Sequence, residues 1–156
     1  MTHVLILGVG NVLLADEGVG VHVARRLMQA HLPAHVEVID GGTGGLDLLP
    51  YFRDTEHVII VDALEFEDEP GAIYRLSPDQ LSACTQPIVS LHQVSMIDLI
   101  GNARLLGFHP EITIFGIVPK DAVSCSLELT PEVERAVPRV IQMVLNEVGA
   151  EQALAG

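Results

Sequence analysis

Short apolar runs alternate along this chain with segments of helical period, and nothing else in the sequence constrains the fold as tightly. Residues 3–7, 36–39, 58–61, 72–76 and 112–118 have strand length and strand composition. The run from Val58 to Val61 shows no polar alternation, as expected of a strand buried on both faces. Between the first two runs, Val19, Val23, Ala24, Leu27 and Met28 form a helical stripe over residues 18–31. Residues 46–52 read as a short helix, Ser77-Pro78 as a turn or helix start, and 94–106 as a helix that Gly101 weakens. Thr130-Pro131-Glu132 has the signature of a helix start, with a capping hydroxyl, proline at the first position and an acid in the first turn. Val133, Val137, Ile141, Val144 and Val148 then share one face, and Pro138 predicts a later start or a kink. Such alternation predicts an α/β fold with a mostly parallel sheet and helices on both faces.

The 156 residues contain no repeat or linker, so one domain over 1–156 is expected. A mean hydropathy of +0.40 argues against disorder. No apolar run reaches the length of a membrane span, so no membrane partner is expected. The opening run lacks a basic flank and passes straight into a glycine turn, which predicts a core strand rather than a secretory signal and a cytoplasmic protein. A net charge of −13 excludes nucleic-acid binding, which needs a basic face. Cys84 and Cys125 form no metal or redox spacing and read as free, partly buried thiols.

In open α/β sheets, ligands collect beyond the carboxyl ends of the strands. Asp16-Glu17 follows the first run, Asp40 ends the second and Asp62 ends the third, so all three segments map to that edge. A lone acid at a strand end is more often a helix cap than a functional group. Asp16 is the natural cap for the helix near Gly18, which leaves Glu17 to face the edge. Ser90-Leu91-His92-Gln93 matches a capping box and places His92 in the first turn of a helix. The helix dipole disfavours an imidazolium there, and neutral imidazole is the metal-binding form. Glu17, Asp62 and His92 together make an oxygen-and-nitrogen donor set suited to nickel, zinc or a similar divalent ion. Against this stands the plain alternative that His92 is an ordinary first-turn residue. His3, His22, His31, His35, His57 and His109 read as surface or packing residues. Asp40 is followed by Gly41-Gly42-Thr43-Gly44-Gly45, a composition that suggests close backbone approach or mobility.

Gly8-Val9-Gly10-Asn11-Val12-Leu13 begins like a dinucleotide-binding turn, with Asp40 where a ribose-binding acid would sit. Leu13 replaces the third glycine, and Asp16-Glu17 would put two negative charges at the pyrophosphate position. No organic cofactor is therefore expected. No GxSxG elbow or Cys-His pair offers a nucleophile.

The run Gly8-Val9-Gly10-Asn11-Val12-Leu13-Leu14-Ala15-Asp16-Glu17-Gly18-Val19-Gly20 resembles the opening motif of the nickel–iron hydrogenase maturation endopeptidases. Asp40-Gly41-Gly42-Thr43, Val61-Asp62-Ala63 and Ser90-Leu91-His92-Gln93 are similar to that family's next three motifs, in order. Gly116-Ile117-Val118-Pro119 and Leu129-Thr130-Pro131 are also similar to family segments. Leu91 stands where some relatives carry proline. The resemblance implies a three-layer α/β/α domain whose five-stranded mixed sheet has the order 2-1-3-5-4, with strand 4 antiparallel. It implies an enzyme that removes the C-terminal extension of a hydrogenase large-subunit precursor once nickel is in place, the nickel being brought by the substrate. It places metal contact and catalysis on Glu17, Asp62 and His92, and substrate recognition on Asp40, Gly41, Gly42 and Thr43. The other class of function left open is a non-catalytic chaperone that inspects the nickel site without cutting.

Overall fold

The structure is a computed structural model that describes residues 3–83 and 91–149, and of residues 91–95 the backbone alone. Strand β1 (Val4–Val9) leads through a 3-10 turn (Ala15–Gly18) into helix α1 (Val19–Leu27). Strand β2 (Val36–Gly42) and a 3-10 segment (Gly45–Phe52) lead to β3 (His57–Ala63) and β4 (Ile73–Leu76). Helices α2 (Pro78–Ala83) and α3 (Leu91–Leu105), strand β5 (Glu111–Ile117) and helix α4 (Pro131–Val148) complete the order. The sheet runs β2-β1-β3-β5-β4. Among the described residues only β4 is antiparallel, paired with β5. Fold and strand order are those the resemblance implies.

The central strands β1, β3 and β5 carry apolar residues on both faces, and each face builds its own core. On one side Ile6, Ile59 and Phe115 pack with Val19, Val23 and Leu27 of α1 and Val137, Val140 and Val144 of α4. On the other, Leu5, Ile60 and Ile114 pack with Leu48, Phe52, Leu81, Leu99 and Ile100. Helix α1 approaches the sheet closely because glycines meet there. A Cβ on Gly8 would lie 2.2 Å from the Gly20 carbonyl oxygen, and one on Gly20 would lie 2.1 Å from that of Val61. Two motif glycines therefore serve helix–strand packing.

Element ends differ from expectation in instructive ways. Strand β2 runs on through Asp40 and Gly41 to Gly42, because the β1 pairing continues there, with a register shift at Gly8/Val9. Helix α4 starts at Pro131, as its motif suggests, but the Thr130 hydroxyl makes no cap bond. Pro138 neither delays nor ends the helix; it sits on the exposed face, where water can serve the carbonyl of Glu134. A reciprocal capping box does occur at α2, where Ser77 N–H donates to Gln80 Oε1 at 2.8 Å and Gln80 N–H to Ser77 Oγ at 3.2 Å. The box expected at Ser90 and Gln93 lies outside the described residues, as does Cys84. Cys125 is exposed rather than partly buried. Among the described residues no helix is long and apolar enough to cross a membrane.

At the amino edge of the sheet, Glu147 of α4 joins three strands. Its carboxylate accepts bonds from Arg75 Nη2 at 2.6 Å and Nε at 3.1 Å, and from the Thr113 hydroxyl at 2.9 Å. His57 Nε2 lies 2.9 Å from that hydroxyl.

Candidate active site

The chain leaves β1 toward β2 on one side and later returns to β3 on the other, so the carboxyl end of β1 is a topological switch point. Here Gly10, at φ +137°, folds so closely over the next turn that a Cβ would lie 2.0 Å from the Glu17 carbonyl oxygen. Three amides of this segment bond inward. Leu13 N–H donates to Asn11 Oδ1, Leu14 N–H to the Asn11 carbonyl, and Gly10 N–H to the carbonyl of Gly42.

Ala15 then takes a left-handed φ of 51°, a costly conformation for a residue with a Cβ. It is held by a second loop. Ala15 N–H donates to Ser126 O at 2.9 Å, and Ser126 N–H to Leu13 O at 3.0 Å. Asp16 completes the clamp. It is fully buried, and its carboxylate accepts Lys120 N–H, Asp121 N–H, Thr130 N–H and the Thr130 hydroxyl, at 2.7–3.0 Å. These four bonds replace the water a buried carboxylate gives up. Asp16 thus does not cap its own helix, as the sequence suggests; it bonds the opening motif to the 120–130 loop. The half-buried Glu17 follows directly, and the turn that carries it packs against β3.

Asp62 lies near the end of β3, 1% exposed, with Oδ1 accepting the Ala63 amide at 2.8 Å. It lines a cavity of about 230 Å³ at the carboxyl edge. Gly42 and Thr43 of the second motif line the same cavity, as do Met96 and Leu99 of α3. His92 is the second residue of α3, about one turn before Met96. Its imidazole lies outside the described residues. The fold thus brings the Glu17 turn, Asp62 and the start of α3 to one edge of the sheet. Two carboxylates and an imidazole would suit a borderline divalent ion. Among the described residues no three His, Cys, Asp or Glu side chains form a metal-holding group.

The second motif divides by role. Asp40 is absent from the cavity lining; its Oδ2 accepts Arg25 Nε at 3.1 Å and its Oδ1 the Gly42 amide at 3.2 Å. Gly41 packs beneath, where a Cβ would lie 3.0 Å from Leu7 Cδ1. Gly42 turns at φ +48°, and Thr43 stands exposed on the rim. Sequence reasoning missed the clamp made by Asp16, the partner Arg25 and the cavity walls. Met96 and Leu99 fall within the helix expected over 94–106, an expectation that does not say which members face a site.

The model of the HycI hydrogenase maturation protease family matches residues 21–147. The chain belongs to that family. Its hydrogenase maturation protease sequence is 35% identical over 155 residues to the hydrogenase 2 maturation protease of Escherichia coli, covering 96% of this chain and 94% of the relative. It is 38% identical over 151 residues to the hydrogenase expression/formation protein HupD of Rhodobacter capsulatus, covering 95% and 72%. The solved hydrogenase maturating endopeptidase HybD from Escherichia coli superposes with a TM-score of 0.84 at 34% identity, covering 95% of this chain and 94% of that one. This protease is therefore an endopeptidase with a role in hydrogenase processing. The family span contains Asp40, Asp62 and His92, while the Glu17 turn precedes it and is covered through the longer alignments.

Proposed function

We propose that this protease removes the C-terminal extension of a nickel–iron hydrogenase large-subunit precursor after nickel insertion, and that the client's nickel is its recognition element. This reading is supported by the packing of the turn that carries Glu17 against β3, near whose end buried Asp62 lines a cavity, in a chain of this family. Glu17, Asp62 and His92 would complete the coordination shell of a nickel already held by the client. Carboxylates and an imidazole, with no thiolate, form a donor set that leaves positions open for a partner's ligands. One such contact positions the scissile peptide against the sheet edge and makes cleavage effectively unimolecular. Hydrolysis then places a water's hydroxyl on the scissile carbonyl carbon and its proton on the departing amine. A precursor without nickel lacks the tether and stays whole.

Asp40, Gly41, Gly42 and Thr43 would recognise the polypeptide around that metal. The proposed compartment is the cytoplasm. The test offers matched precursors, with and without nickel, to metal-stripped protease and reads the products by mass spectrometry. Shortening of the loaded form alone is expected. Efficient cutting of the nickel-free form would overturn nickel recognition.

A further inference from the structure

The cavity beside Asp62 supports a more specific assignment, which rests on the function just proposed. Leu48, Ile60, Met96 and Leu99 in its wall are all buried members of the second hydrophobic core. The cavity is thus a notch in that core, open at the carboxyl edge of the sheet. The glycine-rich stretch keeps it open: Gly42 and Gly45 line it without side chains, at φ +48° and +55°. Among its described lining residues Asp62 alone is charged.

Size narrows the occupant. About 230 Å³ is several times the roughly 30 Å³ share of one water molecule. It falls short of the roughly 300 Å³ at which pockets for small molecules and cofactors begin. One large aliphatic or aromatic side chain fits. An acidic side chain would meet the Asp62 carboxylate, and a basic one would find among apolar walls only that carboxylate, which the proposed nickel contact engages. An endopeptidase must hold a polypeptide, and with Asp62 at the cutting site, as proposed above, the side chain nearest it belongs to the segment being cut.

We infer that this notch is a specificity pocket, taking one apolar side chain of the client beside the scissile bond, with Leu48, Ile60, Met96 and Leu99 setting its size. Thr43 controls the rim, which gives the second motif a steric part in client choice.

The experiment uses nickel-loaded precursors changed singly to Ala, Leu, Phe or Asp at each of the three residues on either side of the scissile bond. One position should favour an apolar residue over Asp by about 100-fold or more in kcat/KM, with about tenfold between neighbouring sizes. Met96→Ala should shift that position's preference toward Phe. Thr43→Phe, on the exposed rim where the core is undisturbed, should shift it toward Ala. Preferences left unmoved by both variants would overturn the pocket assignment even if Asp62→Ala had lost all cutting. Failure of the unaltered protease to cut the loaded precursor would instead overturn the proposed function, and this inference with it.

Discussion

Both carboxylate oxygens of Asp16 are bonded to Thr130: Oδ1 accepts its amide at 2.8 Å and Oδ2 its hydroxyl at 2.7 Å. One side chain thereby joins the first motif of the chain to the start of its last helix. Asp16→Ala leaves three amides and a hydroxyl of half-buried or exposed residues without their acceptor, at about 1–3 kcal/mol for each that water cannot reach. A loss of about 3 kcal/mol or more in urea unfolding is expected. Thr130→Val removes one bond and should cost about 1 kcal/mol. A loss for Asp16→Ala no larger than that for Thr130→Val would contradict the clamp.

Glu17, Asp62 and His92 should each be needed for processing. Alanine at any of them is expected to lower cleavage of nickel-loaded precursor by about 100-fold or more, as when a positioned catalytic contact is lost. Circular dichroism should remain that of the parent. Normal cutting by the Asp62→Ala protein would mean that the site lies elsewhere.

Asp40 and Arg25 should act as one unit. The carboxylate bonds the guanidinium and the Gly42 amide together, so it shapes the glycine segment from outside the cavity. Asp40→Asn is expected to change which precursor is accepted, or how strictly nickel is required, more than it changes metal affinity. Arg25→Met should produce a weaker form of the same change. The double variant should fall short of the sum, as residues in contact do. Lost metal binding with equal losses for all clients would instead make Asp40 a ligand.

Acid should destabilise the fold in two stages. Burial holds the His22 imidazole below its ordinary value, against an opposing pull from Glu134. The unfolded chain then takes up protons first, so stability present above about 6.5 declines as the pH falls through the folded value. Hydrogen bonds from Arg75 hold Glu147 below the usual carboxylate range. Its contribution is present above the unfolded value of about 4.3 and is lost as the pH falls through the lower folded value. Melting temperature against pH should therefore lose its upper step in His22→Phe and part of its lower step in Glu147→Gln. Unchanged profiles in both variants would refute the assignment.

Much of this fold is legible in the chain because its signals are local. A run such as Val58 to Val61 has the length and composition of a strand buried on both faces, and the Val19, Val23, Leu27 stripe needs one apolar face; both depend on neighbours a few residues away. The motifs around Glu17, Asp40 and Asp62 are equally local, which is why family and sheet edge could be read from them. Roles that depend on partners far along the chain could not. Asp16 has the sequence of a helix cap, yet its bonds go to residues 120, 121 and 130, more than a hundred positions away. Thr130 likewise has the sequence of a cap but gives its hydroxyl to Asp16. The sequence gives no sign of the partner of Asp40, whose carboxylate is bonded by Arg25 from the β1–β2 crossover. Met96 and Leu99 belong to the second core, but the notch they border exists only where the glycine segment after β2 meets the end of β3. Periodicity determined which residues are buried; tertiary packing alone decided which buried residues border an opening, because an opening is made by elements that no single stretch of sequence contains.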